Sequence, residues 1–346
     1  MFLLEGYELQ KQREQYANKR VYGGVCEADK QHVSIHCYQF GSAGHSHLPR
    51  IKNSLQGLQA LQSPYLVAIR QLQFREESVV VVMAEGGEPS LQSLLQDGAR
   101  FSLPQVLGIL ERVSAGLEVM HAKQLLHQEL TPENIYLKED GSEAKIGGFG
   151  VLRDCEIPTQ LAPLNRLLYL SPEHSGRMNR SIDRRSDLYS LGVVFYQLLC
   201  GEPPFQAGDS LALIHAHMAQ SAKPLYSLNS VIPRVVCDIV DKLLSKEAEH
   251  RYQSASGLHA DIRACLQQLE EDGEIARHFE VGAFDSLSHF QIPEKLYGRH
   301  VETQQLLNIF TSSANGHFEA VRVGGYSGVG KSALINELQQ PLAARR

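Results

Sequence analysis

The spacing of apolar residues changes once, near residue 90, and that change limits the folds open to this chain. Before it, Val33, Ile35 and Cys37 alternate with Ser34, His36 and Tyr38, the period-2 pattern of a half-buried strand. Ser78 to Ala84 is apolar beyond its first residue and reads as a central strand. Between the two, Leu55, Leu58 and Leu61 recur at helical spacing until Ser63-Pro64 ends the run. From Leu91 the pattern is helical. Ser102 reads as an N-cap with Pro104 in the first turn, and Val106, Leu110, Val113, Leu117 and Met120 form a stripe at spacings of three and four. Ser186 reads as the cap of a more apolar helix that runs through Val193, Val194, Phe195, Leu198 and Leu199 to a stop at Gly201. The expectation is an α+β chain with a small sheet lobe, about 1-86, and a larger helical lobe, about 87-266.

Composition narrows the class. The 346 residues are 43% hydrophobic and 21% charged, enough for a packed core and for more than one domain. Thirty-three basic against 39 acidic residues leave a net charge of -6, which gives no reason to expect nucleic acid as a partner. Arg177, Arg180, Arg184 and Arg185 cluster, but Asp183 and Asp187 lie among them, as on a solvated ion-paired surface. The 6 cysteines include no Cys-x-x-Cys pair, so a reduced, cytoplasmic protein is expected. Met1 to Tyr7 lacks a signal peptide's basic start, and no apolar run approaches the roughly 20 residues of a membrane span, so no membrane insertion is expected.

Four motifs then occur in order: His127-Gln128-Glu129-Leu130-Thr131-Pro132-Glu133-Asn134, Gly148-Phe149-Gly150, Tyr169-Leu170-Ser171-Pro172-Glu173, and Ser186-Asp187-Leu188-Tyr189-Ser190-Leu191-Gly192 leading to Gly201-Glu202-Pro203-Pro204-Phe205. Their order and spacing resemble the eukaryotic-type serine/threonine protein kinase family over about 260 residues. The run Ser171 to Arg180 followed by Arg185 to Ser190 is similar to the N-terminal module of large bacterial sensors, in which a kinase-like domain precedes a P-loop ATPase and a sensor histidine kinase. The resemblance implies a bilobal kinase-like fold with a small β-rich N-lobe and a larger helical C-lobe. It also implies downstream ATPase and histidine-kinase domains, or signalling proteins, as partners.

Measured against that family, the charged groups of phosphoryl transfer are missing. His36 stands where the phosphate-binding lysine would align, and no Asp or Glu lies between Lys30 and Arg75 to hold one. Gly23-Gly24 keeps two glycines of a phosphate cover or forms a plain hairpin turn. Gly148 replaces the principal magnesium ligand, leaving Asn134 as the remaining candidate ligand and the cleft a poor magnesium site. Glu129 replaces the catalytic aspartate with a longer acid, and Gln128 removes the arginine that would receive a phosphate on Thr159. Losing two preorganised charges would cost roughly 6 to 8 kcal/mol if additive, on the order of 10^4 to 10^6 in rate. The resemblance also implies a buried Glu173-Arg251 ion pair and an Asp187 that braces the catalytic loop. Scaffold without chemistry points to a pseudokinase. An active serine/threonine kinase, with Glu129 as base and Asp154 or Glu156 as a substitute metal ligand, is the alternative, and a non-functional fragment is a third.

Near the end, Gly325-Tyr326-Ser327-Gly328-Val329-Gly330-Lys331-Ser332 fits a P-loop placed between an expected strand, Ala320 to Gly324, and a helix near Ser332. Gly325, Gly328 and Gly330 would let backbone N–H groups cradle phosphates, Lys331 would reach the β and γ oxygens, and Ser332 would ligate magnesium. With Tyr297-Gly298-Arg299 and an expected helix from Glu302 to Phe310, this resembles the start of an AAA-type signalling ATPase, truncated here to its first strand-loop-helix. Its cofactors in a full-length protein would be ATP and magnesium. The domains expected are 1-266 kinase-like, 267-296 linker and 297-346 ATPase start. The pairs His45/His47 and His215/His217 are expected as a solvated loop and a helix surface rather than metal ligands.

Overall fold

A computed structural model describes residues 4–15, 19–39, 48–75, 77–85, 88–138, 143–150, 164–176, 180–275, 279–285, 299–314, 317–326 and 331–336. The N-lobe carries β1 (Tyr7–Gln15), β2 (Lys19–Cys26), β3 (His32–Gln39), α1 (Leu48–Gln59), β4 (Ile69–Phe74) and β5 (Ser78–Ala84). The strands form one antiparallel sheet in the order β1-β2-β3-β5-β4. Register pairs Val21 with His36 and Lys19 with Tyr38, and on the other side of β3 pairs His36 with Val81. Directly paired side chains share a face. Val33, Ile35, Cys37, Val80 and Val82 therefore cluster on one face, while Tyr38, Val79 and Val81 join Ile51, Leu55 and Leu58 of α1 on the other. β3 was expected to be half-buried. It is buried on both faces, because α1 covers the side that His36 and Tyr38 occupy.

The C-lobe contains α2 (Leu91–Gln96), α3 (Leu103–His121), a 3-10 turn at Pro132–Asn134, β6 (Ile135–Leu137) and β7 (Ala144–Ile146). There follow α4 (Leu164–Leu167), α5 (Arg184–Cys200), α6 (Ser210–Ala219), α7 (Leu225–Leu228), α8 (Arg234–Leu243) and α9 (Ala255–Glu271). The stripe expected on α3 is buried, and Gln105 Oε1 accepts from the Ser102 backbone N–H at 2.9 Å to tie its first turn. α5 starts earlier than the sequence reading had it. Asp183, not Ser186, is its cap, accepting from Arg185 N at 2.8 Å, while Ser186 Oγ accepts from Asp183 N in the same capping box. Gly201, at φ +91°, ends α5 as expected.

Two later segments differ from expectation. The stretch read as linker from residue 267 begins inside α9, and beyond it Ile275 is buried while Phe279 and Val281 pack on the C-lobe core. Asp285 accepts from Gln253 N at 2.6 Å and from Ser254 N at 3.0 Å and Oγ at 2.9 Å. Further on, α10 (His300–Ala314) and α11 (Lys331–Asn336) form the expected helices, but Ala320 to Gly324 is not a strand. Among the described residues it has no strand to pair with, and a strand is built from ladder hydrogen bonds.

Candidate active site

The floor of the cleft hangs on one buried carboxylate. Asp187 accepts from His127 N at 2.9 Å and Gln128 N at 2.7 Å, and lies 2.9 Å from His121 Nε2. Burial alone would raise its pKa, but the His121 bond and charge outweigh that and hold it below the ordinary value. Gln128 is thereby fixed at φ +61°, and Gly150 N donates to His127 O at 2.8 Å, bringing Gly148-Phe149-Gly150 against the loop. Phe149 stacks at a tilt on His127, ring centroids 5.4 Å apart.

Here the structure brings Glu129, Asn134 and Gly148 together. Asn134 Nδ2 donates to Glu129 O at 2.7 Å, which turns its carboxamide toward Gly148. Gly148 sits at φ +65°, and a Cβ added there would overlap the Asn134 carboxamide. The space a metal-binding aspartate would need is filled by an amide. Glu129 is not left as an open base either, since Arg166 of α4 forms an ion pair with it and both side chains are mostly buried. The residues present do not fit a two-ligand magnesium site.

The ceiling is the α1-facing side of β2 and β3. His36 is buried with Nε2 2.8 Å from Ser34 Oγ. Its burial, and then the charges of Lys19, Arg166 and Arg13, hold its pKa well below the ordinary value, so the imidazole is neutral. Gly23 and Gly24 prove to be neither phosphate cover nor turn. They lie inside β2, paired with Ser34 and Val33, where a Cβ on Gly24 would come within 2.8 Å of Ile35 Cδ1 and one on Gly23 within 2.9 Å of the Arg13 guanidinium. Arg13 in turn pairs with Glu85.

Below the cleft, Glu173 and Arg251 meet as the resemblance implied. Arg251 Nη1 and Nη2 donate to Glu173 Oε1 and Oε2 at 2.7 and 3.0 Å, and Ser186 Oγ adds a bond at 2.7 Å. Burial pushes the Glu173 carboxyl up, and Arg251 with Ser186 overcomes this to hold it at about 2. At the P-loop, Lys331 Nζ donates to Gly325 O at 2.9 Å and Tyr326 O at 2.7 Å. Gly328, Gly330 and the Ser332 side chain lie outside the described residues, as do His45, His47, Arg177, Asp154, Glu156 and Thr159. His217, expected on a helix surface, is buried, with Nδ1 3.0 Å from Tyr189 OH and its ring against Phe205. Among the described residues no group of His, Cys, Asp or Glu is placed to hold a metal. The sequence reading missed Arg166 and Lys19, which long-range contacts and strand register alone bring to the cleft.

The protein kinase domain family matches residues 17–262, more than half of the chain. The chain belongs to that family. The AAA ATPase domain family matches residues 295–346, so the kinase domain is joined to an ATPase-type segment. Over 188 residues this kinase chain is 37% identical to hybrid signal transduction histidine kinase G of Dictyostelium discoideum, covering 49% of this chain and 6% of that protein. It is 25% identical over 258 residues to serine/threonine-protein kinase PrkC of Bacillus subtilis (strain 168), covering 71% of this chain and 39% of PrkC. The chain thus spans well under half the length of either relative. The crystal structure of Rad53 1-466 in complex with AMP-PNP superposes with a TM-score of 0.61 at 18% identity, covering 74% of this chain and 64% of that one, a likeness of fold. No described helix is long and apolar enough to cross a membrane.

Proposed function

We propose that the kinase domain is a pseudokinase: a signalling module whose cleft is impaired for phosphoryl transfer and which is coupled to the ATPase-type segment that follows it. The observation that carries this reading is the Asn134 carboxamide lying where a side chain at position 148 would stand. A metal-bridged triphosphate needs a carboxylate there, and the acid of the adjoining loop, Glu129, is already paired with Arg166. The Arg166–Glu129 pair argues the same way, because a base already answered by a guanidinium is a weak proton acceptor.

What is retained is scaffold. The Glu173–Arg251 pair and the Asp187 brace keep the lobe's shape independent of nucleotide chemistry. Identity with a hybrid signal transduction histidine kinase supports placing the module in a multidomain signalling protein, with downstream ATPase and histidine-kinase domains as its partners. We assign residues up to 285 to the kinase unit and begin the ATPase-type unit near 299.

The test is phosphate transfer from γ-labelled ATP, with magnesium or manganese, to the chain itself and to generic Ser/Thr protein substrates. The expected result is no label above a heat-denatured control. Label that disappears in Glu129→Ala would establish instead an active kinase with Glu129 as its base.

A further inference from the structure

Arg13 is the extra residue of a bulge in β1. Gln12 is paired with Tyr22 and Glu14 with Val21, so two steps along β1 meet one step along β2 and Arg13 is skipped by the register. Such bulges re-aim a side chain out of the regular alternation of the sheet. Here the guanidinium comes to rest against Gly23, where an added Cβ would lie 2.9, 3.0 and 3.2 Å from Arg13 Nη2, Nε and Cζ. Three atoms of one planar group at nearly equal distance mean that its face, not its edge, lies on the glycine. Gly23 pairs with Ser34 and Val21 with His36, so the glycine belongs to the side of the sheet that roofs the cleft. His36 feels the same guanidinium: its pKa is lowered first by burial, then by the charges of Lys19, Arg166 and Arg13. The space that a larger residue at position 23 would fill is thus taken by an arginine from the neighbouring strand.

The other end of the contact is Glu85, one residue past β5 and ahead of α2, on the stretch that passes from the sheet lobe to the helical lobe. Its backbone N–H donates to His32 O at 3.1 Å, which fixes it beside the start of β3. The sheet order is β1-β2-β3-β5-β4, so β2 and β3 lie between the two partners and the pair crosses the roof from its edge to the crossover. The tie is partial. Oε1 takes Arg13 Nη1, while Oε2 is buried and has no hydrogen-bond partner among the described residues. The Arg13 side chain is 44% exposed and that of Glu85 23% exposed, so water and salt reach the pair and limit its strength. A weak contact that fills space in a cleft is suited to opening, unlike the Glu173–Arg251 pair, which is buried on both sides.

We propose that the Arg13–Glu85 pair is a bar across the roof of this cleft, which keeps flat ligands off the Gly23 patch until the pair parts. A planar ring packs by close contact over its face, and it needs the same backbone surface that the planar guanidinium now covers. Opening exchanges one ion pair for the hydration of two partly exposed charges, which is a small cost. The proposal rests on the reading of the cleft as impaired for transfer, and it adds how that cleft is regulated: the chain's own side chains close it.

The full chain is titrated calorimetrically with adenosine, a flat and uncharged probe whose affinity reports space on the roof rather than attraction to its charges. Glu85→Gln, which leaves Arg13 in place without its ion pair, is expected to strengthen adenosine binding by about 3- to 5-fold, the range of a partly exposed pair. Arg13→Ala, which also empties the patch, is expected to strengthen it further, and Gly23→Val added to Arg13→Ala to abolish the gain. In the native chain adenosine affinity is expected to rise with potassium chloride as the pair is screened, and in Arg13→Ala it is not. The salt series on the native chain needs no substitution, so it decides the matter even if the variants do not fold. Equal adenosine affinity in the native chain and both single variants, no adenosine binding in any of them, a gain that survives Gly23→Val, or a native affinity that does not rise with salt would each overturn the proposal. Transfer of labelled phosphate, by contrast, would overturn the pseudokinase reading and leave the adenosine comparison to be judged separately.

Discussion

Single residues decide what this cleft can recover by mutation. Gly148 occupies a left-handed conformation over a site filled by the Asn134 carboxamide, so restoring an aspartate meets both a backbone cost and a steric one. Gly148→Asp is expected to lose about 1–3 kcal/mol in chemical denaturation and to gain no magnesium-dependent ATP binding. A stable Gly148→Asp protein that acquires such binding would refute the occlusion. His217 makes a pH-dependent contribution elsewhere in the lobe. Its burial, then the Lys246 charge, lowers its pKa from the ordinary 6.5 to about 3. Between those values the unfolded chain binds a proton that the folded chain does not, so the stability is whole above about pH 6.5 and falls as pH drops toward 3. Urea midpoints taken at pH 7.5 and pH 5 are expected to fall more for the native protein than for His217→Gln, which keeps a partner for Tyr189 OH but does not titrate. Equal falls would mean that His217 is not the buried neutral group described here.

At the scale of elements, α9 shows how a local rule can reverse. A helical glycine replaced by alanine usually gains about 1 kcal/mol. At Gly257 the added Cβ would lie 2.7 Å from Asp285 Cα and Cβ, in the segment that docks on the start of α9. Gly257→Ala is therefore expected to destabilise, as judged by a lower melting temperature. In Asp285→Ala, which has already lost the contacts to Gln253 and Ser254, it should cost less. A gain in melting temperature from Gly257→Ala in the native background would show that residues 279–285 do not dock in solution. The same element explains what was legible in the sequence. Periodic stripes such as Val106 to Met120 and alternations such as Val33 to Cys37 were read correctly because burial repeats at the element's own period. The docked segment 279–285 has no such period, holding on through Phe279, Val281 and Asp285, and it read as linker. Asp183 and Ser186 are both cap-type residues three apart, and the sequence reading took Ser186, placing the cap three residues late. Within the site, Glu129, Asn134 and Gly148 were legible from motif spacing. Arg166 and Lys19 were not, because an activation-segment contact and a strand register are decided by tertiary packing.

Among the described residues the clustered apolar core ends before α10, and that end marks the expected energetic boundary. The C-lobe cluster joins α1 and β5 residues to α3, α5, α8 and α9 and extends to Ile275, with Phe279 and Val281 packed on it. Leu306 of α10 and Leu334 of α11 are buried outside all three hydrophobic clusters. A unit whose apolar contacts close by residue 285 draws its hydrophobic stabilisation from within itself, so the later segment should contribute little to its unfolding free energy. A chain ending at residue 285 is accordingly expected to unfold in one cooperative transition at nearly the temperature of the corresponding transition in the full chain. One ending at residue 266 should melt lower, because it lacks Ile275, Phe279, Val281 and the Asp285 contacts. Limited proteolysis of the full chain provides an independent check, with a long-lived fragment whose C-terminus lies between residues 286 and 298. If the accumulating fragment ends before Ile275, or the chain ending at 285 fails to fold while the full chain folds, the kinase unit depends on the ATPase-type segment and the division drawn here is wrong.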